Sequence, residues 1–379
     1  MDQALSATGS FLQRHPDAII TYKEDRADYK WFYEQGLMLN ALYEMYRESA
    51  DPRYLDFMTA NLDHYLDAEG NIARYKYRDF NLDNIGPGRA LIHLHRITGD
   101  PRYLKAADTL MTQLKHQPRT EEGGFWHKKI YPYQMWLDGL YMAQPFAALY
   151  TDAFLQGEDR DFSDIINQFR WIYSHTLDSR SGLLYHAWNE DRSMFWADSA
   201  TGLSPHIWGR AVGWYMMALV DVLDYMPVET DGRSLLLEQL NALADAVADA
   251  RDPQTGLWYQ VMDLPDRNGN YLESSASAMF IYAFAKAVNH KWLPSTYLDI
   301  AEKSYSGFQN EFVSLDSSGL VDVTMACAGA GLGGKNMRDG SFEYYVTEAI
   351  RTNDYKVYGP YILASLELHR AALKNERSR

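Results

Sequence analysis

A single cysteine, Cys327, in 379 residues leaves nothing to pair within the chain, so an internal disulfide framework is excluded and a reducing compartment is expected. Basic residues are short too: 36 Lys and Arg stand against 51 Asp and Glu, a formal charge of −15. Nucleic acid and acidic membrane surfaces both demand a basic field, and neither is an expected partner. No apolar run approaches the roughly 18 residues of a membrane span. The opening MDQALSATGSFLQRHPDAII also lacks a basic segment followed by an apolar one. These absences point to a soluble, cytoplasmic protein, a monomer or weak homo-oligomer. Linkers rich in Gly, Ser or Pro, a β-hairpin framework, a nucleotide-binding Gly fingerprint, HExxH and a cysteine cluster are likewise missing. His93 and His95 are two apart and point to different faces of a helix, so no metal site is expected.

What is present is a hydrophobic content of 46%, enough for one large core, and an aromatic content of 14%, with 28 Tyr and 10 Trp. That is more aromatic surface than core filling needs. It suggests a site lined with flat, amphipathic rings, for which sugars are natural partners.

Six stretches start from small residues or glycine and continue as helical runs apolar on nearly all sides, beginning near Tyr33, Asn84, Leu137, Gly209, Ser274 and Gly359. Amphipathic, charged helices alternate with them: about Ala4 to Arg14, Pro52 to Leu66, Pro101 to Lys115, Phe162 to His175, Arg233 to Ala250 and Thr296 to Glu311. Gly36 and Gly88 are 52 positions apart, and Gly88 and Gly139 are 51 apart, a repeat of helix pairs. The expected fold is all-α, an (α/α)6 barrel of six helix hairpins forming a single domain over 1–379. Short β ribbons are expected at GNIARYKYR and GLLYHAW.

Links from a buried helix to the next amphipathic one are mostly short and capped, as at Asp51-Pro52 and Asp100-Pro101. The return links are long: Asp67 to Ile85, Gln117 to Met135, Thr176 to Ile207, Asp252 to Glu273 and Phe312 to Tyr358. Antiparallel pairing gathers all of them at one end, with the N-termini of the buried helices and their partial positive charge. Many of the spare aromatics lie there, among them Trp126, Trp188, Trp196, Trp258 and Tyr271. Function is expected at this end.

Tyr131 to Tyr150, YPYQMWLDGLYMAQPFAALY, carries one carboxylate, Asp138, among aromatic, small and apolar residues. It is either a buried structural acid or a group whose chemistry is wanted. Asp83, in FNLDNIGPG, either caps the following helix or shares a pocket with Asp138; a carboxylate pair of that kind suits acid/base work. His127, His186 and His206 fall in the long loops, where neutral imidazole can bond a sugar hydroxyl. Arg210 opens a buried helix with Trp214 four residues on, a guanidinium for a carboxylate beside a ring for a sugar face, or else an Arg paired with a loop acid. Lys128 and Lys129 receive no role.

Together FNLDNIGPG, GGFWHK, MWLDGLYMAQPF, GLLYHAW, SPHIWGRAVGWYMMALVDVLDYMP, and GLWYQV followed by ESSASAMF make a specific set, and the chain resembles the unsaturated rhamnogalacturonyl hydrolases of glycoside hydrolase family 105 over essentially its whole length. These are related to the unsaturated glucuronyl hydrolases of family 88. The resemblance implies an unsaturated oligosaccharide substrate with a 4,5-unsaturated uronic acid at its non-reducing end. An Asp protonates C4 and helps water add at C5, giving a hemiketal that opens and expels the rest of the chain. Asp138 occupies the position of that acid/base and Asp83 that of the second carboxylate. His127, His186, Arg210 and Trp214 match pocket-lining positions, and Lys335 falls in the closing loop over 326–345. No metal or organic cofactor is implied. Protonating carbon needs a carboxyl still protonated near working pH, a form that partial desolvation among rings favours.

Three other readings use some of the same residues: an unsaturated glucuronyl hydrolase acting on glycosaminoglycan or ulvan-type oligosaccharides, a sugar epimerase using His127 and His186, and a non-catalytic glycan-binding protein. The last gives no reason for Asp83 and Asp138 at helix mouths.

Overall fold

A helix with apolar residues on every side has no face to offer water, and the helices that read this way take the interior. The computed structural model describes residues 1–23 and 25–377. In chain order its helices are α1 (Asp2–Arg14), α2 (Tyr33–Ser49), α3 (Pro52–Asp63), α4 (Gly88–Thr98), α5 (Pro101–Lys115), α6 (Leu137–Phe154) and α7 (Ser163–Thr176). They continue as α8 (Gly209–Leu223), α9 (Arg233–Asp249), α10 (Ser274–Asn289), α11 (Thr296–Phe312), the short α12 (Phe342–Thr347) and α13 (Tyr355–Arg377). Every residue of α8 is buried, whereas α5 buries only one face.

The inner helices α2, α4, α6, α8, α10 and α13 each pack on the next, and α13 closes the ring by lying against both α10 and α2. The amphipathic helices form the outer layer, with α1 seated on α13. This is the expected (α/α)6 barrel. Asp51 and Asp100 cap α3 and α5 by accepting the amides of Arg53 and Arg102, each with a proline at the first helical position. Glycine matters where α2 meets the loop before α4, because a Cβ on Gly36 would stand 2.3 Å from the Gly86 carbonyl carbon.

A buried ionic network lies inside the ring. Asp221 of α8 accepts Arg89 Nη1 of α4 at 2.7 Å, and Lys286 Nζ and the Tyr282 hydroxyl of α10 at 2.8 and 2.6 Å. Arg89 Nη2 also donates to the Tyr141 hydroxyl of α6 at 2.6 Å. Four inner helices are thus tied in one register.

Of the two expected ribbons, GNIARYKYR yields only an isolated bridge, Leu66 to Ile72. GLLYHAW contributes one strand of a true ribbon, β1 (Gln134–Trp136) antiparallel to β2 (Ala187–Asn189), with Met135 opposite Trp188. The last long link holds β3 (Val313–Leu315) paired with β4 (Val321–Val323), β5 (Ala326–Cys327) paired with β6 (Ile350–Arg351), and α12. The final inner helix starts at Tyr355, four residues earlier than the expected Gly359. Among the described residues no helix is long and apolar enough to cross a membrane.

Candidate active site

Asp138 and His186 are brought together by the β1–β2 ribbon. Strand β1 runs straight into α6, so Asp138 lies in the first turn of that helix; His186 immediately precedes β2 and accepts the Leu137 amide on its carbonyl at 3.1 Å. The His186 ring is fully buried, with Nε2 at 3.2 Å from Asp138 Oδ2 and Nδ1 at 2.7 Å from the Tyr345 hydroxyl. Tyr345, in α12, holds that ring from the side of the closing loop. The Asp138 side chain keeps 13% of its surface open.

Asp83 sits in different company. It lies in a 3-10 turn, Leu82–Asn84, just before α4, and does not cap that helix. Its carboxylate meets Lys128 Nζ at 2.5 Å and His127 Nε2 at 3.3 Å. Burial pushes the Asp83 carboxyl up, but Lys128 and His127 outweigh it and hold the group well below the usual carboxylate range. Asp83 is therefore a fixed anion. Lys128, given no role from sequence, is its main counter-charge.

Trp136 stands between the two acid–histidine pairs. Its ring stacks on His127 at 4.6 Å and 6°, stacks on Tyr131 at 5.0 Å, and meets the His186 ring edge-on at 5.4 Å. The absence of a side chain at Gly139 permits this, since a Cβ there would lie 3.1 Å from His127 Nδ1.

Arg210 is the second residue of α8 and 1% exposed. Its Nε donates to Ser275 Oγ at 2.6 Å, and Nη2 reaches the Cys327 carbonyl and, at 3.3 Å, Glu273 Oε1. The pairing with a loop acid weighed from sequence is thus present, in the form of Glu273. One nitrogen, Nη1, is buried with no partner among the described residues. Trp208 links this group to the acids: its ring is 5.3 Å from the guanidinium, 4.8 Å from the His186 ring and 5.9 Å from Tyr345. Trp214 lies deeper, stacked on Tyr141 at 4.8 Å and edge-on to Tyr33 at 6.0 Å.

The remaining expected groups divide. His206 pairs with Asp263 at 2.8 Å. Lys335 stands exposed in the turn between Gly333 and Arg338 and is not brought to the acids. Arg338 is the cation of that loop which touches the site wall, donating to the Tyr131 hydroxyl at 2.9 Å. Trp196 joins Tyr131, Trp136 and Leu332 in a small apolar cluster at the mouth. Two of the spare aromatics serve the scaffold instead: Trp258 is fully buried against Phe280, and Trp188 stacks on His175.

Lys128, Trp136, Trp208 and Tyr345 were not singled out from sequence. A signal for two of them existed: Phe32, Trp136 and Trp208 each sit at the N-cap of an inner helix. An aromatic residue immediately before an apolar helical run thus marks the walls of the site. Among the described residues, His127 Nδ1 and Arg210 Nη1 are buried here without a hydrogen bond, and Asp138 Oδ2 and His186 Nε2 have only each other. Such groups are rare unless a ligand or solvent serves them.

The model of Glycosyl Hydrolase Family 88 matches residues 5–372. The chain is 40% identical to a glycoside hydrolase from family 105 of C. acetobutylicum ATCC 824, with a TM-score of 0.92 over 97% of this chain and 99% of that one. It is 28% identical over 257 residues to the unsaturated rhamnogalacturonyl hydrolase YesR of Bacillus subtilis (strain 168), covering 66% of this chain and 69% of that protein. The unsaturated glucuronyl hydrolase of Bacillus sp. GL1 shares the fold, with a TM-score of 0.66 at 16% identity over 97% of this chain and 94% of that one. Barrel, helix-mouth acids and a likeness that runs nearly end to end agree: the chain is an enzyme of glycoside hydrolase family 105, within the group the family 88 model describes.

Proposed function

We propose that this hydrolase releases 4,5-unsaturated galacturonic acid from the non-reducing end of lyase-generated rhamnogalacturonan oligosaccharides, in pectin breakdown, by hydrating the C4=C5 bond. The observation that carries this reading is the unequal setting of the two acids. Asp83 is locked as an anion by Lys128, while Asp138, its side chain still partly open to the site, has the His186 imidazole beside it. One carboxyl is free to exchange a proton and the other supplies fixed charge.

In this reading Asp138 protonates C4, and the positive charge develops at C5, shared with the ring oxygen. The same carboxylate, now ionised, takes a proton from the water that adds at C5. The hemiketal opens to a ketone and the aglycone leaves. Asp83 offsets the developing cation across the pocket, His127 and His186 orient the two acids and bond hydroxyls, and the spare Nη1 of Arg210 receives the uronate carboxylate. Trp136, Trp208 and Trp214 give the pocket its flat walls. Lys335 reaches the substrate only from the rim. The whole chain acts as one catalytic domain.

Unsaturated galacturonyl and glucuronyl units are identical once C4 is unsaturated, so polymer choice rests on the aglycone. The likeness to a named rhamnogalacturonyl hydrolase favours rhamnose there. Incubation with the unsaturated disaccharide of a lyase digest in heavy-oxygen, deuterated water tests the proposal. Loss of the double-bond absorbance, label in the new C5 ketone and deuterium at C4 are expected. Label at C1 with the double bond intact would mean ordinary glycosidic hydrolysis.

A further inference from the structure

Beside the acids, on the flank of the barrel where α2 and α13 begin, lies a second cavity of about 290 Å³, enough for one sugar ring. Its walls include Ile20, Phe32 and the stacked pair Tyr22 and Tyr355, whose rings are 4.3 Å apart. Phe32 separates it from the catalytic pocket: Lys128 Nζ, which holds Asp83 at 2.5 Å, is 5.9 Å from the centre of the Phe32 ring. Phe32 thus borders both this cavity and the lysine that holds Asp83.

Two groups in its lining have bonding capacity left over among the described residues. Gln35 is 2% exposed and its Oε1 has no hydrogen bond among the described residues. The orientation of that amide is fixed by its neighbours. Asn61 Nδ2 donates to the Ala18 carbonyl at 2.7 Å, so Asn61 Oδ1 is an acceptor and takes Gln35 Nε2, also at 2.7 Å. The free end of Gln35 is therefore a buried acceptor in need of a donor. The second group is Lys30, an exposed cation within electrostatic reach of Asp28 but in no ion pair among the described residues. Other charges in the lining are matched: Lys23 with Asp28, Glu34 with Lys356, and Arg351 with Asp354 at 2.8 Å.

We infer that this cavity is an aglycone subsite that takes a uronate residue further along the chain, its hydroxyl donating to Gln35 Oε1 and its carboxylate facing Lys30. The inference rests on the function proposed above. In a chain that alternates uronate with a neutral sugar, the third residue from the unsaturated end is again a uronate. The subsite thus adds affinity for oligosaccharides longer than the disaccharide, and only when that third residue is charged.

The test compares the unsaturated disaccharide, the unsaturated tetrasaccharide, and the tetrasaccharide with its internal carboxyl methyl-esterified. For the wild type, the charged tetrasaccharide should show a KM about threefold to tenfold below that of the disaccharide, the scale of one or two hydrogen bonds. Esterification should remove most of that advantage. Lys30→Ala and Gln35→Leu should each remove it too, with disaccharide kinetics unchanged. Lys30 is at the surface, so its variant remains informative if Gln35→Leu folds poorly. Equal KM values for di- and tetrasaccharide, or an advantage that survives Lys30→Ala, would overturn the subsite. If the wild type turns over no unsaturated substrate, the functional reading itself fails. Calorimetry with the saturated tetrasaccharide then decides: binding that both variants lose supports the subsite, and no binding by the wild type overturns it.

Discussion

A carboxyl with a lysine nitrogen 2.5 Å away does not readily carry a proton, and that separates Asp83 from Asp138. Asp138→Asn keeps the shape of the first turn of α6 but has no proton to give, and turnover should fall by about 10² or more with an unchanged melting temperature. Steady-state kinetics beside a thermal melt checks it. Asp83→Asn should act on stability as well. Its folded carboxyl lies well below the unfolded value of about 3.9, so its contribution is fully present above about pH 4 and is lost as pH falls toward the folded value. The variant should be about 3 kcal/mol less stable at pH 7, and the deficit should narrow below about pH 4 in urea titrations. Arg210→Lys keeps a cation near Glu273 but loses the fork that leaves Nη1 over. KM should rise roughly tenfold with little change in kcat, as expected when a charged hydrogen bond to the substrate is lost. These two acids were legible from sequence because each stands at the mouth of an apolar helical run. Lys128 was not, because a lysine in a loop reads as solvated charge until the loop's path is known. That path is set by backbone bonds, Leu82 to the His127 carbonyl and His127 to that of Gln134, which no local pattern announces.

At the scale of the element, inner helices approach closely only where a side chain is missing. Gly36→Ala improves local helix propensity yet sets a methyl 2.3 Å from the Gly86 carbonyl carbon, backbone that cannot swing aside. The net effect should be a loss of about 1–3 kcal/mol, read by chemical denaturation. Helices were the most legible level of this chain. Their apolar and amphipathic runs alternate, and α5 and α8 start and stop where proline, glycine and the periodicity place them. The ribbons were less so. Strand β1 is three residues long and abuts α6, so QMW merges with the helical run that follows it. Its partner β2 was legible only because a glycine turn precedes it.

For the molecule as a whole, the ring is held in register by charge at its centre. Asp221→Ala would leave Arg89 and Lys286 buried without their shared partner, and a loss of about 3–5 kcal/mol is expected, visible as a lower urea midpoint. Circular closure was implied by the repeat of helix pairs, but which helices share an ionic network depends on three residues far apart in sequence, and spacing carries no trace of that. Closure also orders events in time. Because α13 fills the gap between α10 and α2, the first hairpins made on the ribosome have no final neighbour until some 300 residues later, when residue 355 onward emerges. At about 5–20 residues per second that is a wait of roughly 15 to 60 seconds with the apolar flank of α2 uncovered. The late closure that completes the barrel therefore leaves the nascent chain with apolar surface to shield for most of its synthesis.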